Sequence, residues 1–341
     1  MILSIKFFWL TKKSCETVFI CRWCAGAAGL TKTGVTRAAP LVTRVNVVKL
    51  IPKANLIRTA KEFLSVSSLC ALSNDTVLLA CPLLGLRALS LHTGHLSARD
   101  PAVVMDVRKV AYEKHTDTLL LVVKIAADNW QLVSLRRKNA DEWLEVQRLS
   151  IDNNITSNHH LAICGSRVML GGKNNLKSTM YVFVVSAEHN VRAAGTVAVE
   201  DTEPFFKFAC TRLGNDTLFA LTHLKHLSLM RLESQSLKHL ATANFNNPSD
   251  VLFFGDLLLV ADADPLEWKN NIIQLLQVSG GRLTEQRRLR DLRADSKMGA
   301  WTLANDRLIY WDMSSNAAKA LIVYTFAWAI SESNVQESNA N

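Results

Sequence analysis

Acids and imidazoles stand just ahead of several short, almost wholly apolar runs: Asp106, His159 with His160, Glu203, Asp250 and Asp295. Oxygen ligands arriving from separate segments suit a hard cation such as calcium, which takes about six to eight of them. A cation held that way would polarise an ester or lactone and activate water. The metal set expected on this reading is Asp106, Glu203 and Asp250. A plainer explanation competes with it: Asp and Asn at strand starts make turn hydrogen bonds and stay in water. His159 and His160 are adjacent, so on a strand they point to opposite faces and do not easily share one metal.

Other chemistry is thinly represented. Gly is only 14 of 341 residues, with no Gly-x-Gly-x-x-Gly after a strand and no Gly-x-Ser-x-Gly elbow. That argues against nucleotide enzymes and α/β-hydrolases. Arg282, Arg287, Arg288, Arg290, Arg293 and Lys297 make a basic stretch, but Glu285, Asp291 and Asp295 dilute it. No aromatic residue interleaves there for base stacking, so nucleic acid is not the favoured partner. The seven cysteines are odd in number and irregularly spaced, against a disulfide framework. Cys21-x-x-Cys24 stands alone, and a reducing compartment is the simpler home.

The elements that must carry these residues are legible in a recurring figure, a tight polar turn feeding an apolar strand. Gly214-Asn215-Asp216-Thr217-Leu218-Phe219-Ala220-Leu221-Thr222 is its clearest copy. Asn74 to Ala80 and His115 to Leu121 repeat it, and looser copies begin at Gly165, Gly255 and Asn305. The residue at the Asp position falls at 75, 117, 166, 216, 256 and 306, giving intervals of 42, 49, 50, 40 and 50. Strand-sized apolar runs at that period are the spacing of propeller blades. Each unit divides into an inner strand, the turn-fed strand, a third strand and a more polar outer strand. The apolar-to-alternating gradient is what sandwiched middle strands and a wet outer strand require.

The expected fold is therefore all-β, a six-bladed propeller with four antiparallel strands per blade. Seven blades is the alternative if residues 45–66 form a degenerate one. The last unit lacks an outer strand after Phe326, and Val45 to Ile51 is spare, so the two chain ends are expected to close the ring. At the level of fold the chain resembles the WD40-like β-propeller superfamily over about residues 45–330. Gly94-His95 and Trp311-Asp312 each occur once, and Gly171-Gly172 looks like a kelch pair. The calcium reading is similar to the arrangement of six-bladed propeller hydrolases.

Charge divides the chain. Residues 1–61 hold eleven Lys/Arg against Glu16 alone, which leaves 28 basic and 29 acidic of the chain's 39 and 30. The +9 net charge thus belongs to a leading arm and the body is neutral. Residues 1–43 read as a disordered or cleavable basic arm, 44–330 as a single propeller and 331–341 as a disordered tail. A cytoplasmic protein is expected, or a mitochondrial one if the arm is a transit peptide. The longest apolar run, Ala320 to Ile330, is well short of the roughly 20 residues a membrane helix needs.

With no catalytic constellation recognised, the favoured function is a non-catalytic platform for other proteins, a monomeric ring within a complex without a cofactor. The alternative is the calcium-dependent hydrolase. Trp130, Trp143 and Trp268 lie near expected blade edges and are the candidate docking residues, because aromatic side chains dominate interface energetics. Trp301 and Trp311 fall in inner strands and read as core.

Overall fold

The computed structural model describes residues 41–52, 66–82, 85–97, 106–126, 129–139, 142–151, 156–174, 177–199, 203–262, 272–289, 298–304, 307–312 and 320–329. All of them belong to the second of the chain's two units, Ala38–Asn341. The basic arm up to residue 40, the tail 331–341, Trp268 and Asp295 lie outside the described residues.

The described residues form strands in chain-ordered groups. β1 (Leu41–Pro52) comes first. β2 (Ser68–Ala71), β3 (Thr76–Cys81) and β4 (Gly85–Ser90) make the first group. β5 (Val107–Glu113), β6 (Thr118–Ala126), β7 (Asn129–Arg137) and β8 (Trp143–Ile151) make the second. β9 (Thr156–Cys164), β10 (Arg167–Asn174), β11 (Lys177–Val185) and β12 (Val191–Val199) follow. The fourth is β13 (Lys207–Leu213), β14 (Asp216–Thr222), β15 (His226–Glu233) and β16 (Ser236–Asn244). The fifth is β17 (Pro248–Phe254), β18 (Leu257–Asp262), β19 (Ile272–Ser279) and β20 (Arg282–Leu289). β21 (Met298–Ala304), β22 (Arg307–Asp312) and β23 (Ala320–Ala329) complete the last group with β1.

Within each group the order is sequential and antiparallel, as hairpin connections dictate. The third and fourth groups are also stitched edge to edge, through a short parallel pairing of β12 with β16 at Ala198↔Ser236 and Val199↔Leu237. In the first group the fourth position holds, among the described residues, one bridge, Leu89↔Leu96. Its edge is held instead by Arg87 Nε donating to the Ser97 carbonyl at 2.7 Å and by Ala88 N donating to Ser97 Oγ at 2.8 Å.

The groups close into a ring through their cores. Each hydrophobic cluster draws on two successive groups, as Leu120 and Trp130 of the second pack with Val168 and Phe183 of the third. The series ends where it began, with Val77 and Leu79 of the first group packed on Ile309 and Trp311 of the last. The inner strands touch in the same cyclic order, β2 to β5, β9, β13, β17, β21 and back to β2. This is a β-propeller. Its middle strands are buried end to end, Leu257–Asp262 for example, while β12 buries Val191 and Val197 and exposes the residues between them.

β1 supplies the outer strand of the last group from the opposite end of the chain. It runs antiparallel to β23 from Leu41↔Ala329 to Pro52↔Ala320, with irregularities after Val42 and Val47. The expected closure by Val45 to Ile51 is therefore present, in a strand that starts earlier than the sequence suggested.

The recurring turn owes its geometry to two-residue hairpins. Gly165, Gly214 and Gly255 take φ of +60°, +61° and +60° at the first turn position. Hairpin turns whose twist matches the strands need a positive φ there, which glycine adopts freely. No helix among the described residues is long and apolar enough to cross a membrane.

Candidate functional site

The inner strands of a propeller run in one direction, so their first residues share one end of the ring. The residues expected to do chemistry gather there, but in different company from that expected. Asp106 precedes β5 with φ of +72° and accepts a hydrogen bond from Arg108 Nη2 at 3.0 Å. Asp250 on β17 accepts from Lys207 Nζ of the neighbouring inner strand at 3.2 Å, and from the Val251 amide at 2.9 Å. Each of these acids thus has a base against it. Glu203 lies in the connector before β13, with Oε2 3.8 Å from His226 Nδ1. His159 has its side chain outside the described residues.

Two lysines and an imidazole crowd the same end. Lys109 on β5 has its amine pushed down to about 7, by burial first and then by the positive charge of Lys207, with Asp250 opposing and Arg108 adding to the shift. His160 on β9 is held well below the ordinary imidazole range by burial, then by Lys207 and Lys109. Neither ring nitrogen of His160 has a hydrogen-bond partner among the described residues. Its ring meets the Phe208 edge at 4.9 Å and 71°. Opposite His160 in the ladder is Gly171, where a Cβ would stand 2.5 Å from Phe208 Cε1. The glycine pair noted in the sequence therefore includes a residue that makes room for an aromatic ring. Lys109, Lys207 and Asp250 form a mixed-charge cluster with a net positive balance, and His160 beneath it is kept neutral.

A third arrangement was not anticipated. β14 and β15 are joined by a turn of Leu224 and Lys225, flanked by His223 and His226, with the His223 amide donating to the His226 carbonyl at 2.8 Å. The two imidazoles stack with centroids 4.3 Å apart and planes 10° from parallel. Glu203 joins them, and one donor atom from each of the three lies within 4.8 Å of the other two. Among the described residues this is the group of His, Cys, Asp and Glu close enough to share an ion, and it contains Glu203 without Asp106 or Asp250. His223 is fully buried, whereas the Glu203 side chain is 59% exposed.

Two of the tryptophans expected to dock partners, Trp130 and Trp143, are inside. Trp130 and Trp143 are 8% and 6% exposed and belong to the packing between groups. Lys124 Nζ lies 5.4 Å from the Trp130 ring and Arg137 5.0 Å from that of Trp143, so cations cap both aromatic faces. Burial of this degree leaves either ring little area to offer. Trp301 and Trp311 are core, as expected, at 5% and 1%. Asp262, the last residue of β18, is buried. It accepts from the Asn247 amide at 2.8 Å and Gln274 Nε2 at 3.1 Å, a structural role. Cys164 and Cys210 share a hydrogen bond that lowers the Cys164 thiol, aided by Arg212 and Arg167, and raises Cys210.

The chain matches no protein-family model and no curated protein. Among solved structures it is similar to the PQQ-bound form of aldose sugar dehydrogenase from Streptomyces coelicolor. That likeness has a TM-score of 0.59 at 10% identity and covers 85% of this chain and 100% of the dehydrogenase. It is also similar to a chain of the mitotic checkpoint complex, with TM-score 0.50, 12% identity and coverage of 90% and 98%. The RRP9 WD40 repeats give TM-score 0.50 and 11% identity, covering 85% and 99%. Identities this low carry the fold, a β-propeller, and nothing finer.

Proposed function

We propose that this protein is a non-catalytic interaction platform that docks other proteins on the end of the ring where the inner strands begin. One observation carries the reading, the placement of its exposed large apolar side chains. Among the described residues there are four: Ile125, Phe206 and Leu224, 44%, 37% and 61% exposed, and Leu144, 36% exposed, which lies at the opposite end. Ile125 ends β6 beside the start of β5, where Lys124 N donates to the Asp106 carbonyl. Leu224 tips the β14–β15 turn, and Phe206 bonds the end of β14 through its amide, 2.8 Å from the Thr222 carbonyl. All three therefore stand at the same end. Apolar residues that water does not favour, surrounded by charge, suit a protein interface.

The calcium-dependent hydrolase is the less supported reading. It asks Asp106, Glu203 and Asp250 to converge on one cation, while Asp106 and Asp250 already neutralise Arg108 and Lys207.

The test is comparative capture from native extract. Wild-type protein is set beside Leu224→Asp with Phe206→Asp, and beside Leu144→Asp, which lies at the opposite end of the strands. Stoichiometric protein partners lost only with the first variant support the platform. Equal retention by all three folded proteins, or no stoichiometric partner, overturns it.

A further inference from the structure

We propose that Glu203, His223 and His226 form a binding site for a first-row divalent metal ion, with zinc the best match. His223 and His226 flank two residues, so they are cross-strand neighbours on a tight hairpin and their side chains fall on one side of it. The stacking of their rings at 4.3 Å is the consequence. Glu203 arrives from a separate segment, and the donor atoms of all three fit within 4.8 Å of one another.

Donors around a zinc ion at ~2.1 Å stand roughly 3.4 Å apart, so closing on the metal requires movements of only about 1 Å. Small rotations of Glu203 and His226, the two less buried members, supply that. Glu203 Oε2 lies 3.8 Å from His226 Nδ1, close enough to attract but beyond a hydrogen bond.

Donor chemistry selects the ion. Imidazole nitrogens suit zinc, copper, nickel and iron, whereas calcium and magnesium take oxygen. Two His and one carboxylate leave a position open to water, and Glu203, being exposed, puts that position at the rim of the ring. The site is independent of the platform reading and stands or falls without it.

The test uses full-length protein stripped by a chelator, then titrated calorimetrically with zinc and spectroscopically with cobalt(II). One ion per site is expected, with visible cobalt bands typical of nitrogen and oxygen donors and no thiolate charge-transfer band. The absence of that band separates the site from the Cys21-x-x-Cys24 pair. His226→Ala and Glu203→Gln should weaken zinc by more than about a hundredfold. Glu203 is exposed, so its variant folds and keeps the test decisive even where a histidine variant does not. Zinc binding unchanged in Glu203→Gln and His226→Ala, equal affinity for calcium, or no binding overturns the proposal.

Discussion

Lys207 Nζ lies 3.2 Å from Asp250 Oδ2, tying the first residue of one inner strand to the third residue of the next. The Asp250 side chain is 13% exposed and that of Lys207 31%, so the pair is partly shielded from solvent. Asp250 also counters the charge of Lys109. Removing the acid therefore strands two ammonium groups, while removing Lys207 strands one carboxylate and relieves Lys109. Asp250→Asn should cost about 1–2 kcal/mol and Lys207→Met less. Urea melts of both single variants and the double variant measure the coupling. Equal costs for the two single variants would contradict this asymmetry.

Gly171 is extended backbone without strain, so its substitution is a matter of space. An added Cβ would meet Phe208 Cε1 at 2.5 Å and Phe205 Cε2 at 3.0 Å. Both rings are buried and sit edge to face, 5.8 Å apart, so neither gives way cheaply. Gly171→Ala should destabilise by about 1–3 kcal/mol, an overpacking cost. Phe208→Leu in the same chain should recover part of it, which a thermal melt of the double variant would reveal.

The two shifted bases act in different pH windows. His160 in the fold sits well below 6.5, so the unfolded chain takes up its proton first as pH falls. Stability should be intact above about 6.5 and decline below it. Lys109 drops from 10.5 to about 7, so the fold favours its neutral form and stability should rise between those values. Below about 7 the full penalty for charging Lys109 applies. Lys109→Met should then raise the melting temperature at neutral pH, with a benefit that shrinks toward pH 10.5. His160→Phe should flatten only the acid limb. A melting-temperature profile against pH for each variant separates the two contributions.

The architecture was legible because it rests on local chemistry repeated. Gly165, Gly214 and Gly255 mark hairpins by the one conformation that glycine adopts freely, and apolar runs such as Leu257–Ala261 mark sandwiched strands. The site was not, because its chemistry is assembled across blades. Nothing in the sequence near Lys207 announces Asp250, and Asp106 carries no sign that Arg108 folds back on it. His223-Leu224-Lys225-His226 did hold a signal, histidines three apart, but Leu224 and Lys225 are not turn residues and hide the hairpin. Trp130 and Trp143 fall at strand ends, which reads as an edge. Only the ring reveals that the neighbouring blade covers them.

β1 closes the last group from the opposite end of the chain. β23 has β22 on one side and β1 on the other, so removing β1 leaves a row of backbone groups on β23 unpaired and bares a strand edge. Hydrogen bonds contribute about 0.5–1.5 kcal/mol each, so losing this ladder should cost on the order of 5 kcal/mol. In a domain of this size that lowers the melting temperature by roughly 10 °C. Two truncations isolate the effect: one removes residues 1–40 and keeps β1, the other removes 1–55 and with it β1. The second should melt far lower and, with its edge open, associate as its concentration rises. Identical melting temperatures for the two truncations would mean that β1 contributes nothing to holding the ring.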